Sequence, residues 1–203
     1  LTTKAIEGYA AQEQLVGGVE TLFKTSSDTV VGYANDAYKT AGMSANEYME
    51  TVTSFSASLL ASMNNDTAAA AEKANVAITD MSDNANKMGT DISLIQNAYN
   101  GFAKQNYTML DNLKLGYGGT KEEMQRLLDD ASKLSGIKYD ISSYSDVVDA
   151  IHVVQTEMGI TGTTAKEAST TIEGSVSSMS SAWDNWVAGM ADSEANFSQL
   201  TSN

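Results

Sequence analysis

Residues 44–90 read "SANEYMETVTSFSASLLASMNNDTAAAAEKANVAITDMSDNANKMGT", and the period of their apolar residues decides the fold class. Tyr48, Val52, Phe55, Leu59 and Met63 recur every three or four positions, which places them on one face of a helix. Ser44 and Glu47 stand at capping-box spacing just before that face, behind Gly42, where a preceding helix can end. The "NND" at 64–66 breaks the pattern and re-caps it. Ala71, Ala74, Ile78, Met81, Ala85 and Met88 then form a second seam of small and flexible side chains, suited to close helix packing. Gly89 ends it, and Thr90 or Asp91 can cap a third helix with the seam Ile92, Ile95, Tyr99 and Phe102.

The same reading extends downstream. Thr120 and Glu123 form a second capping box ahead of Met124, Leu127, Leu128, Ala131 and Leu134, and Gly136 closes that helix. After the short connection "IKYDISSY" come Val147, Val148, Ile151, Val154 and Met158, closed by Gly159. Residues 120–159 therefore read as a helical hairpin. Thr164 and Glu167 repeat the capping-box spacing before Ile172, Val176, Met179, Trp183, Trp186 and Met190, a heptad-like seam. Its Ser/Thr-rich flanks are poor helix formers, so this last helix should depend on a partner surface.

The expectation is an all-α chain with helices of about 12–28 residues. It divides into a region of successive amphipathic helices (1–105), a Gly/Tyr joint (106–119), a helical hairpin (120–159) and a C-terminal helix with a Trp/Met seam (163–203). The chain starts at Leu1 within a helix-like pattern and without Met, which gives the expectation of an internal piece of a longer protein.

Composition narrows the chemistry. The 203 residues contain no Pro and no Cys, where about ten Pro are usual at this length. That leaves no disulfide framework and no thiolate metal site. One His leaves little room for imidazole chemistry. A net charge of -14 argues against nucleic acid and anionic membrane as partners, since both are held by Lys and Arg. No run approaches the length of a membrane span, and no stretch reads as a signal peptide.

No motif rises to a catalytic, cofactor or metal site. "GYGGTK" at 116–121 has the glycines and lysine of a phosphate loop but the wrong order, with Thr120 before Lys121 and no strand ahead. Glu122 and Glu123 follow directly and would repel a phosphate; they suit the helix dipole instead. "DMSDNANKMG" at 80–89 spaces Asp80, Ser82 and Asn84 like a calcium loop. However, Ala85 stands where the turn needs Gly and Asp91 where the last ligand belongs, so it reads as a helical surface. Glu122/Glu123 and Asp129/Asp130 are adjacent pairs that diverge on a helix. His152 reads as a surface or boundary residue, and Trp183 and Trp186 as core or helix-partner packing. Asn65, Asn106 and Asn196 match the glycosylation pattern, as expected by chance in such a chain. Tyr107, Leu110 and Tyr117 are expected to pin the joint to its neighbours.

Four stretches carry a family resemblance: "SANEYMETVTSFSASLL" (44–60), "MSDNANKMGT" (81–90), "GFAKQNYTMLDNLKLGYGGTKEEMQRLLDDA" (101–131) and "EMGITGTTAKEA" (157–168). Through them nearly the whole chain resembles a segment of the phage tail tape measure proteins of tailed phages and prophages of Gram-positive bacteria. The resemblance implies a long helical virion protein that sets tail length, fills the tail tube lumen and leaves ahead of the DNA on infection. It implies assembly in the host cytoplasm, helical seams that pair with further copies (coiled coil), and contact with the tail tube protein, tail assembly chaperones and distal tail or baseplate proteins. Some members carry peptidoglycan-cleaving domains; no such catalytic set is visible here. The glycine breaks over 101–165 describe a jointed or globular part rather than an uninterrupted rod. The competing expectation is a helical adhesin or secreted effector that binds host protein through the Trp/Met seam.

Overall fold

The computed structural model describes residues 3–170, 180–185 and 187. Among them the chain is all-α, with eight helices and no strand. These are α1 (Thr3–Phe23), α2 (Ser27–Thr40), α3 (Ala45–Ser62), α4 (Thr67–Met88), α5 (Ile92–Phe102), α6 (Lys121–Ser135), α7 (Tyr144–Glu157) and α8 (Thr163–Thr170). Single 3-10 turns lie at Lys24–Ser26 and Leu110–Leu113. The helices run from 8 to 22 residues, shorter at both ends than expected.

Local chemistry sets most of these boundaries. The Ser44 hydroxyl accepts from the Glu47 amide, and the Glu47 carboxylate accepts from the Ser44 amide at 2.7 Å, so α3 starts on a complete capping box. Asn64 and Asn65 both take left-handed backbone (φ 54° and 59°), which Asn tolerates better than most residues. Asp66 then restarts the chain by accepting from the Ala69 amide. Gly89 ends α4 and Gly136 ends α6, each with positive φ, and Asp91 caps α5 through the Ser93 amide.

The predicted seams are buried inside the chain. Tyr48, Val52, Phe55 and Leu59 of α3 join Ala71, Ala74, Ile78 and Met81 of α4 in a single core. Ile95, Tyr99 and Phe102 belong to it as well, with Met124, Leu127, Leu128, Val147, Val148 and Ile151. Met63, Ala85, Met88 and Ile92 are half-buried against that core, whereas Leu134 and Met158, each within two residues of a closing glycine, are 50% and 45% exposed.

Helices α1, α2 and α3 pack together, α3 lies on α4, and α6 and α7 form the expected hairpin. The hairpin docks through α7, which also lies against α3 and α4. Helix α4 touches α1, α2, α3, α5, α7 and α8. Its alanines explain how: Ala70, Ala71, Ala74 and Ala77 are fully buried and let neighbours approach on several sides. The C-terminal heptad seam lies outside the described residues at Ile172, Val176, Met179, Trp186 and Met190. Trp183 is 61% exposed, so it is not part of the core. Two residues on, Asn185 accepts from the Ala45 amide at the start of α3.

The joint at 106–119 is held as expected. Phe102 and Tyr107 stack with ring centres 6.1 Å apart, Tyr107 donates to the Ile141 carbonyl, and Leu110 is buried. Gly119 is required by a close approach, because a Cβ there would sit 2.3 Å from the Thr108 carbonyl oxygen. At neighbouring Gly118 the same atom would make ordinary contact, 3.5 Å from Glu123. Gly119→Ala should therefore cost about 3 kcal/mol in a urea unfolding measurement. Gly118→Ala should leave the midpoint within the range of an ordinary surface change.

Candidate functional site: the buried polar turn of the central helix

The C-terminal half of α4 departs from the helical surface that its polar residues suggest. Asp80, Ser82, Asp83 and Asn84 are all buried, at 1%, 5%, 0% and 0% exposure. Four consecutive-turn polar residues sunk into a core need partners, because an unsatisfied buried group costs about 1–3 kcal/mol. Those partners come from far along the chain.

Asp83 reaches α8. Its two carboxylate oxygens accept from the Gly162 amide at 2.6 Å and the Thr164 amide at 2.8 Å. These are orphan donors of a helix N-terminus, satisfied by a carboxylate that also complements the helix dipole. The predicted capping box at Thr164 and Glu167 is therefore not what starts α8. Thr164 Oγ1 finds no partner, and Glu167 instead accepts from Asn86 of α4 at 2.8 Å.

Asn84 ties the joint and α7 together. Its amide nitrogen donates to the Leu113 carbonyl at 3.0 Å and to Gln155 Oε1 at 2.7 Å. Gln155, fully buried on α7, returns a bond to the Asp80 carbonyl. The Asp80 carboxylate meets His152 of α7, whose Nδ1 lies 2.9 and 3.0 Å from its two oxygens. An ionised carboxylate only accepts, so Nδ1 carries the proton in that pair. His152 is 37% exposed at its side chain. The expected boundary histidine is thus the outer half of a buried carboxylate–imidazole pair. His152, Tyr139, Asp146 and Asp149 line a cleft of about 300 Å3, and Asp149 pairs with Lys73 at its edge.

Acid–base character follows from this placement. Burial pushes the Asp80 carboxyl up, more than the contact with His152 lowers it. The hydrogen bond to Asp80 raises His152 above its ordinary value, against the opposing effect of burial, and Asp149 adds to the rise while Lys73 opposes it. Both shifts mean that the folded pair holds its proton more tightly than the unfolded chain.

The glycine-rich stretch resolves differently. Thr120 caps α6 as expected, its hydroxyl accepting from the Glu123 amide at 3.2 Å, but the Glu123 carboxylate does not return to the Thr120 amide to complete the box. That carboxylate accepts from the Gly118 amide at 2.9 Å and from Arg126. Arg126 also donates to the Gly116 carbonyl and lies over the Tyr117 ring, 4.3 Å from its centre. The Arg126 guanidinium and then the Gly118 amide hold Glu123 down to about 2. The amide that a phosphate would use already carries an internal anion. Tyr117 completes the clamp by donating to Asp130 at 3.1 Å.

Comparison with protein-family models, curated proteins and solved structures finds no match. Among the described residues no cluster of three or more His, Cys, Asp or Glu is arranged to hold a metal ion, and no helix is long and apolar enough to cross a membrane.

The polar turn left few marks in the sequence. Asp80, Asp83 and Asn84 share their spacing with an exposed face, and their partners lie 71 to 81 residues away at His152, Gln155, Gly162 and Thr164. Only the absence of Lys and Arg from 74–86 hints that this segment is enclosed.

The His152 pair makes stability pH-dependent with a definite sign. A raised histidine contributes stability that is complete below its unfolded value near 6.5 and is lost as pH rises through the folded value. The raised Asp80 acts in the same direction. The melting temperature should therefore fall as pH is taken upward from 6 through the raised His152 value. His152→Gln should flatten that dependence in a thermal melt series; an unchanged slope would assign it elsewhere.

Proposed function

We propose that this chain is an internal segment of a phage tail tape measure protein, a virion component with a structural role. In this reading the whole protein sets tail length, lies in the tail tube lumen, and leaves ahead of the DNA on infection. It is assembled in the bacterial host cytoplasm with the tail tube protein, tail assembly chaperones and distal tail or baseplate proteins.

The observation that carries the reading is the set of long word-like stretches at 44–60, 81–90, 101–131 and 157–168. Their placement supports it. Three of the four converge on one point: Asp83 and Asn84 come from 81–90, Leu113 from 101–131, and Gly162 and Thr164 from 157–168. The fourth supplies α3, which packs on α4. The stretches that carry the resemblance thus meet one another in the fold around the end of α4.

The compact packing supports one form of this reading. Drawn out as one helix, residues 3–170 would reach about 250 Å. A compact chain of that length has a radius of gyration of about 15 Å. We infer a folded knot on the tape, which adds far less length than its residue count would suggest, and whose core seams are already used internally.

In-frame deletion of residues 45–170 from the phage gene, with tail lengths read by electron microscopy, tests this. The reading predicts tails that fail to assemble, or tails shortened by no more than about 40 Å, the span of such a body. A fully extended segment would shorten them by about 190 Å. Tails of unaltered length from which the chain is absent would contradict the tape measure role, and lost adsorption in the same phage would point to an adhesin.

A further inference from the structure

Asn100 and Gly101 form the one Asn-Gly pair in the chain, and they lie together in the last turn of α5. In a flexible chain such a pair modifies itself. The backbone nitrogen of the glycine attacks the side-chain amide carbon of the asparagine, closing a cyclic imide and expelling ammonia. Water then opens the imide at either carbonyl and leaves aspartate or isoaspartate. Glycine favours the attack because it has no Cβ to crowd the ring and reaches backbone torsions closed to other residues.

The fold calls for both residues on other grounds. A Cβ at Gly101 would lie 2.9 Å from the Asn106 carbonyl oxygen. That approach is fixed, because the Gly101 carbonyl accepts from the Lys104 and Asn106 amides, each at 2.9 Å. Asn100 is used as well: its Oδ1 accepts from the Ser54 hydroxyl of α3 at 3.0 Å. Packing therefore keeps a reactive pair in the sequence.

The same packing blocks the reaction. Ring closure needs a torsion at Asn100 far from the helical value, and a Gly101 nitrogen freed from its helical hydrogen bond. Tyr99 and Phe102, on either side of the pair, are 0% and 1% exposed. The last turn of α5 cannot unwind without drawing both rings out of the core. Ser54 meanwhile holds the amide that would be attacked.

We propose that Asn100–Gly101 is a self-modification site gated by the fold. It is closed while α5 is docked and is converted, with water as the co-reactant, once α5 leaves the core. Isoaspartate adds a methylene to the main chain inside α5. Phe102 then loses its helical register with Ile95 and Tyr99, whose burial holds α5 in place. Opening of α5 thereby becomes irreversible.

Incubation of the intact chain at one mildly alkaline pH, folded and in guanidinium chloride, tests this, with conversion at position 100 followed by peptide mapping. Conversion in the folded chain should be about tenfold slower or more, since it waits on opening of α5. Asp91→Ala removes the carboxylate that caps α5 through the Ser93 amide. It should speed conversion in the folded chain about fivefold and leave the rate in denaturant unchanged. After return to native buffer, the isoaspartate fraction should stay open to protease within α5 while the unmodified fraction is protected. Equal rates in the folded and unfolded chain, no response to Asp91→Ala, or no conversion in denaturant would overturn the gated site. Isoaspartate chains that regain full protection would overturn the irreversibility.

Discussion

Asp83 is a carboxylate with no exposed surface, and a charge so placed is tolerated only where donors surround it. The start of α8 provides them through two backbone amides. The same constraint acts at Asp80 and Asn84, which draw in His152, Gln155 and the Leu113 carbonyl. Apolar seams would let the helices slide or rotate with modest loss. Directional bonds from one turn of α4 to α7, to the joint and to α8 fix a single arrangement. The alanines of the preceding turns then allow the close approach that the bonds require.

This division of labour explains what could be read from the sequence. Helix starts and stops are local events, so Ser44–Glu47, Asp66, Gly89, Asp91, Gly136 and Gly159 were legible from spacing alone. Seams were legible because burial follows the helical period. The polar turn was not, because Asp, Ser and Asn at those positions have the same period as a solvated face. Its partners are encoded by distance in the fold, not by proximity in the chain. Two capping boxes stay incomplete for the same reason, although Thr120 still caps α6 by accepting from the Glu123 amide. At Glu123 a nearby arginine and a glycine amide offered a better site than the Thr120 amide. At Thr164 a carboxylate from α4 had already taken the amides.

For function, the consequence is a contrast between two uses of helix. A ruler converts residues into length at about 1.5 Å each, and it needs its helices end to end. The described helices α1–α8 fold back on one another and bury their seams against each other. On the proposed reading, such a body would be a stop, a plug or a handle on a longer tape, and the net charge of -14 would limit adhesion to DNA.

The claim on which this account turns is that α4, with its buried polar turn, is the centre of the fold, and not the α6–α7 hairpin. Residue-resolved native-state hydrogen exchange tests it directly. The account predicts that amides of α4 from Ala74 to Asn84 exchange last, at the free energy of global unfolding, with α6 opening earlier. Contradiction would come from an α6–α7 hairpin that stays protected after α4 has exchanged, since the hairpin would then be the folding unit and the polar turn only an accessory to it.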